Sequence, residues 1–351
     1  TTFALPTSSK DLELTLVSSL PEYPYSRVTI CTFNMTFSSN WEQCEAREGI
    51  IERPNGGGLF VFTRGAPRQP KHPVVIFEAG LGETGACWAA VQRLLDPRIR
   101  SYAYDRAGYG HSPESKSPRS AVNAATELLD TLRAADISPP YILVGHSYGG
   151  ILIREFLAAA GAGAIAGMVF VDANQENTHP QLRIPFHIIR ALCGERDYLD
   201  VIGLLHENAF TQEELGRIRI DEGLPTTART FEKEGALLLE SSAALREKRQ
   251  LDACPLGMRP VTVIRGDSRR DLERLVMAAQ ESGSGSQENL EEMNEFLTNR
   301  LDIFDRDLQM QQLRLSGSSR FVQATNSGHA VMATEPELIT SEILAIWEAS
   351  L

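Results

Sequence analysis

A serine between two glycines marks the boundary between an apolar strand and an amphipathic helix. The stretch YILVGHSYGGILIREF, residues 141–156, starts as a strand-forming apolar run and continues with apolar residues at helical spacing. Gly145 and Gly149 flank Ser147, and so tight a turn presses backbone against backbone, which leaves no room for side chains at the glycines. The pattern predicts a strained serine above the end of a sheet. The backbone N–H of Tyr148 then points to where an oxyanion would form.

Strands and helices alternate on both sides of this turn. The apolar segments PVVIFEAG, RSYAYDRAG and AIAGMVFVDA are separated by amphipathic helical segments. Ahead of them, GIIERPNGGGLFVFTRG predicts two strands joined by a turn. This alternation is typical of βαβ units, so we expect an α/β fold with a mostly parallel central sheet flanked by helices.

The alternation stops for about 85 residues and then resumes. Residues 173–257 contain separate amphipathic helical pieces and no strand pattern, and we interpret them as a helical lid inserted at the carboxyl edge of the sheet. The core is assigned to residues 41–172 and 258–351. Residues 1–40 form an N-terminal extension, in which RVTICTFNMTF shows strand-like alternation.

Charge and motif content narrow the classes of ligand. A formal net charge of −12 argues against a nucleic-acid groove, and no apolar run approaches the roughly 18 residues of a membrane span. A P-loop, a dinucleotide glycine fingerprint and an H-E-x-x-H zinc motif are all missing from the sequence. We therefore expect a small-molecule substrate, no nucleic-acid partner, no membrane span, and no metal or organic cofactor. The oligomeric state stays open.

The cysteines bear on the cellular compartment. The chain has five of them, widely spread and without a C-x-x-C pair, which is typical of free thiols in a reducing compartment. We therefore expect a cytoplasmic protein. The sequon Asn34-Met35-Thr36 keeps secretion open as the alternative.

A serine nucleophile needs an adjacent base, and one histidine is well placed to be that base. The chain has seven histidines. His329, in ATNSGHAVMATEPEL, is the one in the loop after the last predicted strand, downstream of Ser147 and at the carboxyl edge of the sheet. We take His329 as the candidate general base.

With these features in place, the chain resembles α/β-hydrolase-fold enzymes from about residue 45 to its C terminus. Four segments are similar to those of one branch of soluble hydrolases in that superfamily: VVIFEAGLGETGACW, YAYDRAGYGHS, PPYILVGHSYGG and GMVFVDANQE. The resemblance implies a catalytic triad in the chain order Ser, then Asp or Glu, then His.

The resemblance also implies a second oxyanion donor, the backbone N–H of Leu81 after Gly80. Here the sequence departs from many relatives by having Ala79 where they carry histidine, a change that leaves the backbone donor in place. Glu78 ends the preceding strand, and we expect it to form a salt bridge or hydrogen bond with the YDRAGYG loop.

Two aspartates compete for the role of the triad acid, which orients the histidine and stabilises its imidazolium. Asp172 ends the apolar strand before the lid, and Asp267 follows the strand after the lid, where most members of the fold carry the acid. The usual Gly-x-x-Asp spacing fails, because the third residue after Gly266 is Arg269. We favour Asp172 and keep Asp267 as the alternative.

A serine rather than an aspartate at the elbow argues against dehalogenation or epoxide opening through an alkyl-enzyme. The sequence thus predicts a serine hydrolase that cleaves an ester, lactone or thioester of a small, fairly apolar molecule. One alternative keeps the site but uses another acyl acceptor, as in acyl transfer or cyclisation during natural-product tailoring. Another is a ligand-binding receptor or pseudoenzyme on the same fold.

Overall fold

A computed structural model describes residues 41–44 and 46–351. The predictions made for residues 1–40, which include the strand-like alternation, Cys31 and the sequon at Asn34, lie outside the described residues.

In the described part of the chain, eight strands form one sheet in the order β1-β2-β4-β3-β5-β6-β7-β8. The strands are β1 Arg47–Glu52, β2 Gly58–Arg64, β3 Val74–Glu78, β4 Ser101–Asp105, β5 Tyr141–His146, β6 Ile165–Val171, β7 Val261–Arg265 and β8 Ser319–Gln323. Strands β3 to β8 are mutually parallel, whereas β1 and β2 form an antiparallel hairpin that joins the edge of β4. The predicted mostly parallel sheet is confirmed.

Helices connect the strands and cover both faces of the sheet. The α-helices are α1 Ala89–Leu94, α2 Ala121–Ala134, α3 Gly149–Ala160, α4 Thr178–Leu182, α5 Phe186–Cys193, α6 Tyr198–Val201, α7 Gln212–Glu222, α8 Pro225–Gly235, α9 Leu238–Glu247, α10 Gln250–Ala253, α11 Ser268–Ser282, α12 Gln287–Phe296, α13 Asp302–Gln311, α14 Val331–Thr334 and α15 Pro336–Glu348. Short 3₁₀ helices span Gly85–Trp88, Ala162–Ala164 and Gln312–Leu315, and a π-helical turn spans Leu297–Leu301.

The core lies in two layers, one on each face of the sheet. Helices α2 and α3 cover one face with residues such as Leu128 and Phe156. Helices α1 and α15 cover the other face with residues such as Val91 and Ile343. Because both faces are covered, every residue of the central strands β3 and β5 is buried, and this explains their continuous apolar runs in the sequence.

Two helical insertions leave the carboxyl edge of the sheet. Helices α4 to α10 lie between β6 and β7, inside the range 173–257 predicted as a lid, and α11 to α13 lie between β7 and β8. The two insertions share one apolar cluster, in which Ile188 and Leu192 of α5 are grouped with Leu275 of α11 and Phe296 of α12. A second group of helices therefore accompanies the predicted lid. None of the helices among residues 41–44 and 46–351 is long and apolar enough to cross a membrane.

Candidate active site

The turn between β5 and α3 has the strained geometry predicted for it. Ser147 has a φ of +50°, in the left-handed region that non-glycine residues rarely adopt. A Cβ at Gly145 would lie 2.7 Å from the carbonyl oxygen of Gly149, and one at Gly149 would lie 2.6 Å from that of Glu78. Both positions are therefore too crowded for any larger residue, and the crowding fixes the serine at the end of β5.

His329 pairs with Asp172. The distance between His329 Nδ1 and Asp172 Oδ2 is 2.6 Å, and the His329 side chain remains 39% exposed while that of Asp172 is buried. Asp172 directly follows β6, and His329 lies in the loop between β8 and α14. Since these strands are parallel, their carboxyl ends meet at the same edge of the sheet as Ser147. The sequence-predicted serine, histidine and favoured aspartate all line one cavity.

The Asp172 carboxylate is held by four donors. Oδ1 accepts from the Gly266 N–H at 2.9 Å and from Gln309 Nε2 at 2.7 Å, and Oδ2 accepts from Ser268 Oγ at 3.0 Å as well as from His329. Burial would raise the pKa of Asp172, but the hydrogen bond and charge of His329 outweigh it, so the pKa lies below its usual value. The carboxylate is therefore an ionised acceptor in a fixed orientation.

His329 is correspondingly more basic than a free histidine. Desolvation in the cavity would lower the pKa of His329, but the hydrogen bond to Asp172 and its negative charge raise the pKa to about 9. The backbone N–H of His329 also donates to Asp271 Oδ2 at 2.7 Å, which holds the loop from its other side. Asp271 was assigned no role from the sequence.

The alternative acid, Asp267, lies apart from this pair. Its side chain is exposed just ahead of α11, and its backbone N–H donates to the Ser327 carbonyl at 3.0 Å. Within residues 41–44 and 46–351, the Asp267 carboxylate makes neither a hydrogen bond nor an ion pair. The structure thus brings Asp172 to His329 and leaves Asp267 facing solvent.

Both predicted oxyanion donors border the cavity. Leu81 and Tyr148 line it, and in the described part of the chain the backbone N–H of neither residue is used in a hydrogen bond. Arg106 donates to the carbonyl oxygens of Ala79 at 2.8 Å and Gly80 at 2.6 Å, which fixes the backbone just ahead of Leu81. The Tyr148 hydroxyl is occupied elsewhere, because it donates to Ser241 Oγ at 3.2 Å.

The cavity is small and has an apolar wall supplied by both helical insertions. Its volume is about 180 Å³. Apolar side chains that line it include Leu182, Ile184, Phe186, Phe231, Phe296 and Leu301. Among the described residues that line it, none is lysine or arginine. The cavity can accordingly surround a small apolar group next to Ser147.

One of the polar residues in the wall of this cavity is a buried histidine. His179 of α4 lines the cavity, with Nδ1 3.1 Å from Ser242 Oγ and Nε2 3.3 Å from Asn174 Nδ2. Burial lowers the pKa of His179 to about 4, so its ring is neutral at physiological pH. The sequence places His179 in the lid range without indicating that it borders the site.

Sequence reasoning also missed the contact between Glu83 and His146. Glu83 Oε2 lies 2.8 Å from His146 Nδ1, and His146 Nε2 lies 3.1 Å from the carbonyl oxygen of His329. A carboxylate two residues after Leu81 and a histidine just before Ser147 are the only sequence signals for it. Among the described residues, no cluster of three or more His, Cys, Asp or Glu side chains is arranged to hold a metal ion.

Comparison with known proteins places this geometry in context. A sequence model of the "Alpha/beta hydrolase family" matches residues 75–342. An "AB hydrolase superfamily protein" of Gibberella zeae is 40% identical over 319 residues, which cover 87% of this chain and 97% of that protein.

Solved structures with low sequence identity share the fold. A thermophilic esterase from Thermogutta terrifontis aligns with a TM-score of 0.55 and 16% identity, over 87% of this chain and 99% of its own. The epoxide hydrolase CorEH aligns with a TM-score of 0.54 and 15% identity, also over 87% and 99%. Both similarities concern the fold alone.

Proposed function

Because this chain belongs to the alpha/beta hydrolase family, we propose that it is a serine hydrolase that cleaves an ester, lactone or thioester through an acyl-enzyme. The observation that carries the proposal is the arrangement of three residues around one cavity. Ser147 sits on a strained elbow there, and His329 is oriented by a hydrogen bond to Asp172. The nucleophile position holds Ser147, whereas chemistry through an alkyl-enzyme would need an aspartate there.

In the first half-reaction, Ser147 Oγ attacks the carbonyl carbon of the substrate while His329 Nε2 takes the hydroxyl proton. Asp172 accepts from Nδ1 and stabilises the imidazolium that results. The backbone N–H groups of Leu81 and Tyr148 bind the oxyanion of the tetrahedral intermediate. When the intermediate collapses, the bond to the alcohol or thiol breaks, and His329 returns the proton to that leaving group.

The second half-reaction releases the acyl group. His329 Nε2 takes a proton from a water molecule, and the hydroxide attacks the acyl carbon bound to Ser147. Collapse of this second intermediate breaks the bond to Ser147 Oγ, which regains its proton from His329. The products are a carboxylic acid and the free serine.

The cavity supports a small and fairly apolar acyl group as the substrate class. A volume of about 180 Å³ accommodates only a short chain or a small ring, and aliphatic and aromatic side chains form most of its wall. The side-chain amide of Asn174, which also lines the cavity, offers a hydrogen bond to one neutral polar group on the substrate.

Intact-mass labelling with a fluorophosphonate tests the proposal. The wild type should gain one adduct, whereas Ser147→Ala and His329→Ala should gain none. Ser117→Ala and His206→Ala change exposed residues and should label at the wild-type rate. Labelling that persists in Ser147→Ala would contradict the assignment of the nucleophile.

Product analysis then distinguishes hydrolysis from acyl transfer and from ligand binding without turnover. Release of free acid from a 4-nitrophenyl ester, unchanged when an alcohol or amine is added, supports hydrolysis. Transfer of the acyl group to the added acceptor would indicate an acyltransferase. Tight ligand binding by a folded wild type that is neither labelled nor active would indicate a receptor.

A further inference from the structure

Glu83 and His146 connect the loops on either side of Ser147. We define the oxyanion loop as residues 79–84, after β3, and the histidine loop as residues 324–330, after β8. Glu83 Oε2 accepts from the Gly80 N–H at 2.6 Å and lies 2.8 Å from His146 Nδ1. The other ring nitrogen, Nε2, lies 3.1 Å from the carbonyl oxygen of His329. One side chain on β5 therefore spans the two loops.

The identity of these partners determines the protonation of His146. A carboxylate and a backbone carbonyl are both acceptors, so both ring nitrogens must donate, and only an imidazolium has two N–H groups. Burial would raise the pKa of Glu83, but the charge and hydrogen bond of His146 together with the Gly80 N–H bring the pKa below its usual value. Glu83 is thus the negative partner of a positive His146.

We propose that Glu83 and His146 form an ionised positioning pair that holds the oxyanion loop and the histidine loop in register around Ser147. The inference rests on the proposed hydrolase function for its kinetic consequence, but the ionisation of the pair does not depend on that function. Neither residue touches the reacting atoms, so their effect on catalysis is exerted through Leu81 and His329.

Burial makes the pair persistent. The His146 side chain is fully buried, and that of Glu83 is 23% exposed. Without Glu83, a buried imidazolium would have no counter-charge, which is strongly unfavourable, so the ring would give up its second proton. Other ionisable groups face the pair as well: the ring centroid of His329 lies 4.5 Å from that of His146, and the carboxylates of Asp172 and Asp271 lie against His329. These carboxylates and Glu83 offset the proximity of two imidazolium rings when His329 is protonated.

The pair also explains why residue 80 is a glycine and why the N–H of Leu81 has a fixed direction. A Cβ at Gly80 would lie 2.7 Å from Glu83 Oε2 and 3.1 Å from His146 Nδ1, so position 80 has no room for a side chain. Glu83 holds the Gly80 N–H while Arg106 holds the Gly80 carbonyl. The planar peptide that contains this carbonyl also contains the Leu81 N–H, so its direction is fixed.

The kinetic experiment uses Glu83→Gln, which keeps the shape and removes the charge. Without the carboxylate, His146 is expected to be neutral and to lose one of its two bridging hydrogen bonds. We expect kcat for 4-nitrophenyl butyrate to fall roughly tenfold to a hundredfold, since small displacements of catalytic groups have effects of this size, with KM changed less than threefold. Active sites are counted by fluorophosphonate labelling so that unfolded protein does not contribute. Glu52→Gln, at an exposed position on β1, is the matched control.

An NMR experiment tests the protonation of the pair independently of enzymatic activity. In protein labelled with ¹⁵N-histidine, both His146 nitrogens should show the shifts of N–H donors, with assignment by loss of the signals in His146→Gln. In Glu83→Gln, one of the two His146 nitrogens should lose the N–H signature, and the Nδ1 proton of His329 should shift.

The two experiments test the positioning pair and the proposed hydrolase function separately. A neutral His146 in the wild type overturns the proposal, as does an unchanged kcat per active site in Glu83→Gln. A folded wild type that neither labels nor hydrolyses would sink the hydrolase assignment instead. In that case a doubly protonated His146 and a shifted His329 proton in Glu83→Gln would still support the pair.

Discussion

Arg106, on the loop after β4, forms an ion pair with Glu234 of helix α8, with 3.0 Å between Nη2 and Oε2 and both side chains buried. The same guanidinium pairs with Glu78 at the end of β3, also at 3.0 Å. The hydroxyl of Tyr109 donates to Glu234 at 2.8 Å. A single buried arginine therefore links the sheet, the oxyanion loop and the inserted helices.

Replacing Glu234 with alanine should strongly destabilise the protein. Arg106 would keep Glu78 but lose its partner on α8, and breaking a buried pair from one side reduces the free energy of unfolding by about 3–5 kcal/mol. Urea denaturation monitored by fluorescence measures the loss. Glu114→Ala, which breaks exposed ion pairs with Arg229 and Lys233, should leave the midpoint nearly unchanged. Equal effects of the two variants would contradict the importance of burial.

Asparagine at position 172 should reduce turnover far more than asparagine at position 267. Asp172 accepts from His329 Nδ1, and an amide there favours the wrong imidazole tautomer, an effect of roughly a thousandfold to ten-thousandfold on kcat. Asp267 is exposed and makes no contact with His329, so Asp267→Asn should remain within about twofold of wild type. Steady-state hydrolysis of 4-nitrophenyl butyrate measures both, and a larger loss in Asp267→Asn would reverse the assignment of the acid.

Much of the fold and the core of this site could be predicted from local sequence patterns. The elbow around Ser147 was found from a local pattern, a serine between two glycines where a strand meets a helix. The crowding at Gly145 arises within this turn, whereas the crowding at Gly149 comes from Glu78 and Ala79 on a neighbouring part of the sheet. Asp172 and His329 were found because each follows a strand, and the carboxyl ends of parallel strands meet at one edge. The expected pairing of Glu78 with the YDRAGYG loop is likewise present, through Tyr104 and Arg106.

The features that were missed depend on packing between distant segments. Glu83 and His146 are 63 positions apart, and the local sequence around neither residue specifies their contact. The helices between β7 and β8 supply Phe296 and Leu301 to the cavity, although their sequence indicates only a polar helical stretch. Such contacts depend on how two amphipathic insertions dock against each other, which periodicity cannot determine.

The pH dependence of kcat/KM should reveal the basicity of His329. Only the neutral imidazole can act as the base, and Asp172 helps to raise the pKa of His329 to about 9. We therefore expect kcat/KM to rise with pH through neutrality, to reach half of its maximum near pH 9 and to level off about one unit above that. In Asp172→Asn the midpoint of the residual activity should move toward the ordinary histidine value near 6.5. A wild-type midpoint below 6.5 would contradict the charge pairing.

The hydrogen-bonded pair of His329 and Asp172 should also make the free energy of unfolding depend on pH. The pKa of His329 is raised in the folded state, so its contribution is fully present below the unfolded pKa near 6.5 and is lost as pH rises through about 9. Asp172 has a lowered pKa, so its contribution is lost as pH falls below its usual range near 4. Denaturant midpoints of wild type and Asp172→Asn should therefore differ most between pH 5 and 7 and converge at both extremes. A constant difference across the range would argue against linkage through this pair.

Substrates with a negatively charged acyl group should react poorly. None of the described residues that line the cavity is lysine or arginine, and His329 must be neutral to act as the base. In the reactive form, a carboxylate on the acyl chain would therefore be desolvated without a cationic partner. We expect kcat/KM for mono(4-nitrophenyl) succinate to be at least about tenfold below that for 4-nitrophenyl butyrate at pH 7.5, which corresponds to about 1.4 kcal/mol. The two esters share a leaving group and a four-carbon acyl chain. Equal rates would indicate that the acyl group is bound outside this cavity.

Alanine at position 149 should damage both folding and chemistry. Its Cβ would lie 2.6 Å from the Glu78 carbonyl and 3.0 Å from that of Ala79, so the elbow must move away from the oxyanion loop. Overpacking of this kind lowers the free energy of unfolding by about 1–3 kcal/mol, and the displaced Tyr148 N–H should slow fluorophosphonate labelling per folded molecule. Gly163→Ala is the matched control, because its Cβ would have no neighbour within 4 Å, and it should leave labelling unchanged. Normal labelling in Gly149→Ala would show that the elbow tolerates the shift, and the close packing of Gly149 would then have no part in the reactivity of Ser147.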